Sequence, residues 1–351
     1  MPMLPVRLTA ILALALPLCH SAIAANNGLP DPLFQEDDVL DVTIAAPMAT
    51  LLWERPFEEE LPAKFSYKNS AGEAVAFDIK IRTRGRYRRD RDVCKIPPIR
   101  LNFKKSETKD TLFHKQDKVK LVTHCQTSTR YNQIVLREYA AYRLLNVLTE
   151  NSFRVRLLRI TYVDTDGKKA DATRFGFIIE HKDRLAKRLN TAVLKTKAVT
   201  VRALRPDSTN LYSMFHYMIG NTDFSPVQGG EGELCCHNHV LFDDGEAPIL
   251  SVPYDFDQSG LVDAPHAGPN ENFKLRNVRQ RLYRGRCNNN EQLDNTIALY
   301  LGKKDALLAE LASLDMAAPR TVREMTDYIE KFYKTLGSER AINREFIKGC
   351  I

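Results

Sequence analysis

Two carboxylates set just past an apolar run carry the clearest chemistry in this chain. The stretch Val252-Pro253-Tyr254-Asp255-Phe256-Asp257-Gln258-Ser259-Gly260 follows a strand candidate at 248–252. Strand side chains alternate with period two, so Asp255 and Asp257 are expected to leave the strand on one face. Carboxylates so placed suit a hard cation, which takes oxygen ligands. A turn rich in Asp, Gln and Gly is the alternative without chemistry. Two elements precede this stretch. Asn221-Thr222-Asp223-Phe224 sits just past a helix end, and His237-Asn238-His239 opens a strand candidate at 240–242. An Asp, then an Asn, then a hairpin ending in Asp-Phe-Asp is the order found in phosphoryl-transfer sites. There the first Asp orients or deprotonates the acceptor, while the Asn and the later Asp hold a metal on the phosphates.

A third acid comes from a helix. Over 134–148 the apolar stripe reads Ile134, Ala141, Leu145 and Leu148, and Glu138 falls inside it. A carboxylate facing a core is costly unless it is paired. Lys118 and Lys120, on the strand candidate just before the helix, are the natural partners, and a strand lysine paired with a helix glutamate is a device that positions nucleotide phosphates. The densest basic run is Arg82-Thr83-Arg84-Gly85-Arg86-Tyr87-Arg88-Arg89. A glycine among clustered arginines after a strand can form a phosphate-facing loop, with Arg84 and Arg86 as its anion ligands. A solvated basic face is the other reading.

The elements that must position these groups can be read from periodicity. Residues 25–60 are acidic and rich in Pro and Asp, and read as an extended arm. Strand-type runs recur at 64–68, 74–83, 99–103 and 118–122. The helix at 134–148 follows, then strands at 155–163 and 173–179 around a turn at Asp164-Thr165-Asp166-Gly167. Beyond His181 the pattern becomes helical at 185–194, 210–219, 291–314 and 320–348, and Gly220-Asn221 stops the second of these helices. The expected fold class is therefore α+β, with a β-rich N-terminal lobe over 61–180 and a mainly helical C-terminal lobe over 181–351.

Length and composition set outer limits. The chain has 351 residues and a formal charge of +7. Met1 to Arg7 carries one positive charge, 8–18 is apolar, and Ala22-Ile23-Ala24 is a small-x-small cleavage signature, so 1–24 reads as a secretory signal peptide. Periplasmic or secreted localisation follows. No later stretch is long and apolar enough for a transmembrane helix. The mild basicity suits phosphate-bearing ligands, and no nucleic-acid-binding motif is found. Six cysteines follow residue 24, an even number that favours disulfides in an exported chain. Cys94 with Cys125 is the most plausible of the fifteen pairings, because both flank strands of one lobe. Zinc at Cys235-Cys236-His237 with His239 is the competing reading, and it lacks the usual C-x-x-C spacing.

Taken together, Arg84-Gly85, Ile99-Arg100-Leu101-Asn102-Phe103, Leu136-Arg137-Glu138-Tyr139-Ala140-Ala141-Tyr142, Phe177-Ile178-Ile179-Glu180, Gly220-Asn221-Thr222-Asp223, Asn238 and Pro253-Tyr254-Asp255-Phe256-Asp257 resemble the CotH-type, spore-coat-protein-H-like atypical kinases of the protein-kinase-like superfamily. The resemblance spans about residues 75–262. It implies a bilobal protein-kinase-like fold, ATP with Mg²⁺ or Mn²⁺, and transfer to Ser or Thr of a protein; with the export signal, that substrate is expected in the envelope. It matches Asp223 to the catalytic-loop Asp, and Asn238 and Asp255, with Asp257 nearby, to the metal site. Lys120 is matched to the nucleotide lysine, a place that Lys95 or Arg100 could also fill. The chain departs from the pattern in the fourteen residues between Asp223 and Asn238, which include Gly229, Gly230, Cys235 and Cys236. Two other classes compete with a phosphotransferase. One is an envelope binding protein without catalysis. The other is a metal-dependent hydrolase or glycosidase, for which the single Trp offers little sugar-stacking surface.

Overall fold

Alternation drives the first half of the chain. In the computed structural model, which describes residues 28–246 and 248–351, strand β1 (Leu40–Ala46) buries every second residue. It is followed by helix α1 (Met48–Glu54), β2 (Leu61–Lys68) and β3 (Ala74–Thr83). In β3 the residues Phe77, Ile79, Ile81 and Thr83 face inward while Asp78 and Lys80 face water, as expected for a strand with one covered face. β4 (Ile99–Asn102), β5 (Lys118–Val122), helix α2 (Tyr131–Leu148), β6 (Val155–Asp164) and β7 (Ala172–Ile179) complete this half. The strands close into a seven-stranded barrel in the order β1-β2-β3-β4-β5-β7-β6. All pairs are antiparallel except the closing one, where β1 runs parallel to β6 from Leu40 opposite Leu158 to Ala46 opposite Asp164. The barrel interior is aromatic, with Phe65 edge-on to Phe113 at 4.9 Å between ring centroids.

The second half comprises α3 (Lys182–Arg188), β8 (Ala192–Val193), α4 (Pro206–Ile219), β9 (His239–Asp243), β10 (Leu250–Pro253), α5 (Leu293–Gly302), α6 (Lys304–Ala312), α7 (Pro319–Leu336) and α8 (Glu339–Ile342). β8, β9 and β10 form a small antiparallel sheet. A continuous apolar cluster joins α2, α4, the small sheet and the terminal helices, and is separate from the barrel interior. α2 is therefore buried nearly all round. It packs on β7 on one side and on α6 and α7 on the other.

This architecture overturns the bilobal protein-kinase-like fold expected from the sequence. The strands of the first half are a closed mixed barrel rather than an open lobe sheet, and residues 181–351 are not mainly helical. The physical reason is visible at β1. Residues 40–46, read above as part of an extended arm, pair with both β2 and β6 and so remove both free edges of the sheet. In the second half, residues 254–286 run without a helix or strand, because Asp, Asn, Gly, Pro and Arg interrupt any apolar period there. The signal-peptide segment 1–24 lies outside the described residues. Among the described residues, no helix is long and apolar enough to cross a membrane.

Among the described residues three disulfides are present: Cys94 with Cys125, Cys235 with Cys236, and Cys287 with Cys350. The zinc reading of residues 235–239 therefore has no thiolates to draw on. The bond from Cys287 to Cys350 spans 63 residues and ties the C-terminal end to the start of the terminal helices. Replacing both of its cysteines by alanine is expected to cost about 4 kcal/mol, since a loop of this length loses most of its closure entropy in the cross-linked unfolded chain. Urea unfolding of oxidised wild type and the double variant measures this, and equal midpoints would refute it.

Candidate functional site

Helix α4 delivers the first group of residues. Pro206 at its first turn and Gly220 at its C-cap, in the left-handed region at φ 67°, set its length. A β-carbon at Gly220 would lie 2.1 Å from the Tyr328 hydroxyl, so the cap requires glycine on two counts. The chain then turns through Asn221, whose Oδ1 accepts the Asp223 N–H at 2.9 Å. The Asp223 carboxylate lies 2.7 Å from His237 Nε2. Asn238 Nδ2 donates to the Asp223 backbone oxygen at 2.7 Å and to its carboxylate at 3.0 Å. Asp223 and Asn238, separated by fourteen residues in sequence, are thus hydrogen-bonded neighbours. Behind them His216 and His239 face each other at 3.1 Å, with Phe224 stacked on His216 at 3.7 Å between ring centroids. Burial holds both imidazoles neutral, His239 at about 3 and His216 well below its ordinary value. This pair is packing that fixes the Asp223 loop.

The second group surrounds Glu138, which is only 2% exposed. Its partner is Arg88, not the strand lysines expected from the sequence. Arg88 Nη1 lies 3.5 Å from Glu138 Oε2 and 3.6 Å from Asp257 Oδ2, while its other terminal nitrogen donates to the Thr123 carbonyl at 2.6 Å. The basic loop folds back under α2, so a loop arginine reaches the acid first. Lys120 instead sits over the Tyr254 ring at 4.3 Å, and Lys118 is exposed. Asp257 is held by His266 Nε2 at 3.1 Å as well. Glu138 Oε1 is buried without a hydrogen-bond partner.

Asp255 and Asp257 do not share a strand face. β10 ends at Pro253, and Asp255 adopts φ 64°, which turns the chain out of the strand. Asn238 is also left-handed at φ 55°. Asn and Asp tolerate that region better than most residues. The hairpin ends touch, since the Tyr254 N–H donates to the Asn238 oxygen at 2.9 Å, and the Asp255 N–H donates to the Tyr142 hydroxyl at 2.8 Å.

Charge follows this geometry. Burial pushes the Asp255 carboxyl above its usual range, and the nearby Asp257 adds to that; Arg84 and Lys120 pull the other way. For Asp257, burial also acts upward, but His266 and Arg88 outweigh it and hold the group below its usual range. Burial raises Glu138 well above the ordinary carboxylate range, with Arg88 offsetting only part of the effect. Burial lowers Lys120 to about 8, helped by the charge of Arg84.

A cleft of about 560 Å³ opens beside these groups, between the outer wall of the barrel and the small sheet. Its cations are Arg86, Arg100, Lys118, Lys120, Lys182 and Lys195, and its apolar wall includes Phe153, Ile179, Val193, Leu194 and Leu241. Glu180, also on the lining, is already paired with buried Arg188 at 3.0 Å. Of the basic sequence candidates, Arg86, Arg100, Lys118 and Lys120 line this cleft. Arg84 stands behind it, close enough to act on both Lys120 and Asp255. Asp255 follows the lining residue Tyr254 directly. Asp257 and Glu138 sit deeper, with Arg88.

The donor set fits a hard divalent cation in part. Asp255, Asp257 and the Asn238 side chain offer oxygens, and Glu138 Oε1 is a buried acceptor without a hydrogen-bond partner. Among the described residues, however, the one trio of His, Cys, Asp or Glu ligand atoms within 4.8 Å of one another is Cys94, Cys125 and His266, whose cysteines are disulfide-bonded. A cation here would need oxygens from a bound ligand to complete its shell, as Mg²⁺ on phosphates does. Arg88, His266 and His237 were not singled out for the site from sequence. Arg88 falls at an alternate position of the basic run, a usable signal, whereas His266 lies in an irregular segment with none. Comparison with family models and with curated proteins finds no match to this chain.

Proposed function

We propose that this protein is an exported phosphotransferase that binds ATP with Mg²⁺ or Mn²⁺ in the cleft and transfers a phosphoryl group to a protein of the envelope or the secreted space. The observation that carries this reading is the make-up of the cleft, whose lining combines six cations with apolar side chains and runs up to Tyr254, the residue directly before Asp255. A nucleoside triphosphate has the same division, a flat apolar base and a run of charged oxygens. Simple anion binding would not require the apolar wall. The likeness of Pro253-Tyr254-Asp255-Phe256-Asp257 to the CotH-type proteins adds support for the metal.

In this reading Lys120 and Arg100 hold phosphate oxygens, with Arg84 behind them keeping the pocket positive. Asp255 and Asn238 would hold the cation, which when bound neutralises charge on the transferred group. Asp223 takes the proton of the acceptor hydroxyl as its oxygen bonds to phosphorus and the bond to the leaving diphosphate breaks. The hydrogen bond from Asn238 keeps the Asp223 carboxylate oriented for this. Electrostatic positioning supplies the catalysis.

The test is calorimetric. ATP with Mg²⁺ is expected to bind wild type, and at pH 8.5 to take up protons from buffer, because a phosphate beside Lys120 restores the charge that burial removes at about 8. At pH 6.5 Lys120 is already charged and uptake should vanish. Affinity should therefore fall as the pH rises through about 8. Absence of any binding at millimolar ATP overturns the reading and leaves a non-catalytic binding protein.

A further inference from the structure

One residue is out of place in an anion-binding cleft. Glu233 lines it, and unlike Glu180 it is not neutralised from behind. Its carboxylate reaches across the mouth to Arg86 at 2.6 Å, joining the arginine-rich loop of the barrel to the segment between Asp223 and Asn238. Arg86 is itself a cleft cation and is 80% exposed at its side chain. The ion pair therefore both spends a cation that an anionic ligand would use and places a negative charge where such a ligand must enter.

The segment that carries Glu233 is a closed loop. Its ends are tied together, with the His237 N–H donating to the Gln228 oxygen at 3.0 Å and the Ser225 N–H to the His237 oxygen at 2.9 Å. Between them lie Gly229, Gly230 and Gly232, the last at φ 73°. A loop with closed ends and its own internal packing behaves as a compact flap. Here that packing is tight, since a β-carbon at Gly229 would lie 2.3 Å from the Leu234 carbonyl oxygen. One backbone bond anchors the flap to the sheet side, from the Cys235 N–H to the Thr196 oxygen at 2.8 Å. Towards the barrel, the ion pair to Arg86 is the link, and Leu234 at the flap's tip is 55% exposed.

We propose that residues 229–236 form a lid over the cleft, latched shut by Glu233 on Arg86, and that an incoming polyphosphate opens it by taking Arg86 and repelling Glu233. This rests on the cleft being an anion site, and deepens that reading by giving the site a built-in competitor. A surface ion pair suits the purpose because it is weak and screened by salt, so a ligand of several charges outcompetes it.

The test uses Glu233→Gln in the full oxidised protein, a substitution at a partly exposed position that leaves the fold and the core cluster untouched. Hydrogen–deuterium exchange across 229–236 without ligand is expected to rise about two- to five-fold over wild type, the range that the loss of an exposed pair permits. Inorganic tripolyphosphate, which tests charge alone, should bind the variant about three- to ten-fold more tightly than wild type, with the gap narrowing in high salt. Unchanged exchange in 229–236, or equal tripolyphosphate affinity, overturns the latch. If both changes occur but ATP binds no better than tripolyphosphate to either protein, the nucleotide reading falls while the latch stands. If ATP binds wild type and Glu233→Gln identically, the nucleotide reading stands and the latch falls.

Discussion

Asp255→Asn is expected to eliminate the stabilisation of this protein by ATP with Mn²⁺ while leaving the unliganded protein at least as stable as wild type. The first half of this expectation follows from position. Asp255 immediately follows the lining residue Tyr254 and would be a direct ligand of the cation. Loss of outer-shell partners alone commonly costs 10–100-fold in metal affinity, so loss of a direct ligand should weaken binding by at least about 100-fold. The second half follows from electrostatics. Burial and the charge of Asp257 already disfavour the ionised Asp255 in the free protein, so neutralising it relieves repulsion. Asparagine also accepts the left-handed backbone at φ 64° that alanine would resist. A thermal-shift titration with ATP and Mn²⁺ decides the matter. A shift equal to that of wild type would show that Asp255 holds no metal. Asp223→Asn should differ, keeping the nucleotide-dependent shift and losing transfer to an acceptor, because its part is in handling the acceptor proton.

Glu138→Ala should produce the largest loss of stability of any single change in the site. It removes a buried side chain, leaves a cavity under α2, and strips Arg88 of one of its two carboxylates. Leaving a buried polar group short of a partner costs about 1–3 kcal/mol, in addition to the cavity. Retention of Asp257 and the Thr123 carbonyl by Arg88 should place this variant near the lower end of that range. Glu138→Gln separates charge from shape. The folded-state pKa of Glu138 is raised, so the unfolded chain ionises first and the folded protein binds more protons above the ordinary glutamate pKa. Wild-type stability from this group therefore falls as the pH rises from about 4.5 towards the higher folded value. Gln, which has no such titration, should gain on wild type across that interval. Denaturant unfolding at pH 4.5 and pH 8 measures the difference. A constant gap between the two proteins would show that Glu138 is ionised throughout, held by Arg88.

The two acids gain their meaning from each other through Arg88. That arginine sits between Glu138 and Asp257 without a tight bond to either, so the cluster is partly neutralised but not closed. A bound dication beside Asp255 would add positive charge to a cluster that burial makes short of it. The acids therefore lie behind a lining on which Arg100, Lys118 and Lys120 supply positive charge.

Much of this organisation was legible in the chain itself, for reasons of period and composition. The strand positions in β3, the helix around Glu138, the turn at Asp164 to Gly167 and the stop at Gly220 all follow from local alternation, helical spacing and glycine, each of which acts over a few residues. The burial of Glu138 followed as well, because an acid inside an apolar stripe has nowhere else to go. The pairing of Cys94 with Cys125 was also within reach, since both flank strands of one sheet. Closure of the barrel was not, because it depends on β1 meeting β6 across more than a hundred residues, and parallel pairing leaves no turn signature to read. The identity of Glu138's partner was decided in the same way. Lys120 and Arg88 are both cationic residue types, and only the path of the loop beneath α2 brings Arg88 to the acid and leaves Lys120 over Tyr254. The separation of Asp255 from Asp257 rests on one left-handed residue, a backbone choice that the period-two rule cannot anticipate. Long-range contacts set the chemistry here because a charge acquires its role from what lies within a few ångströms, and in this protein those neighbours come from distant parts of the chain.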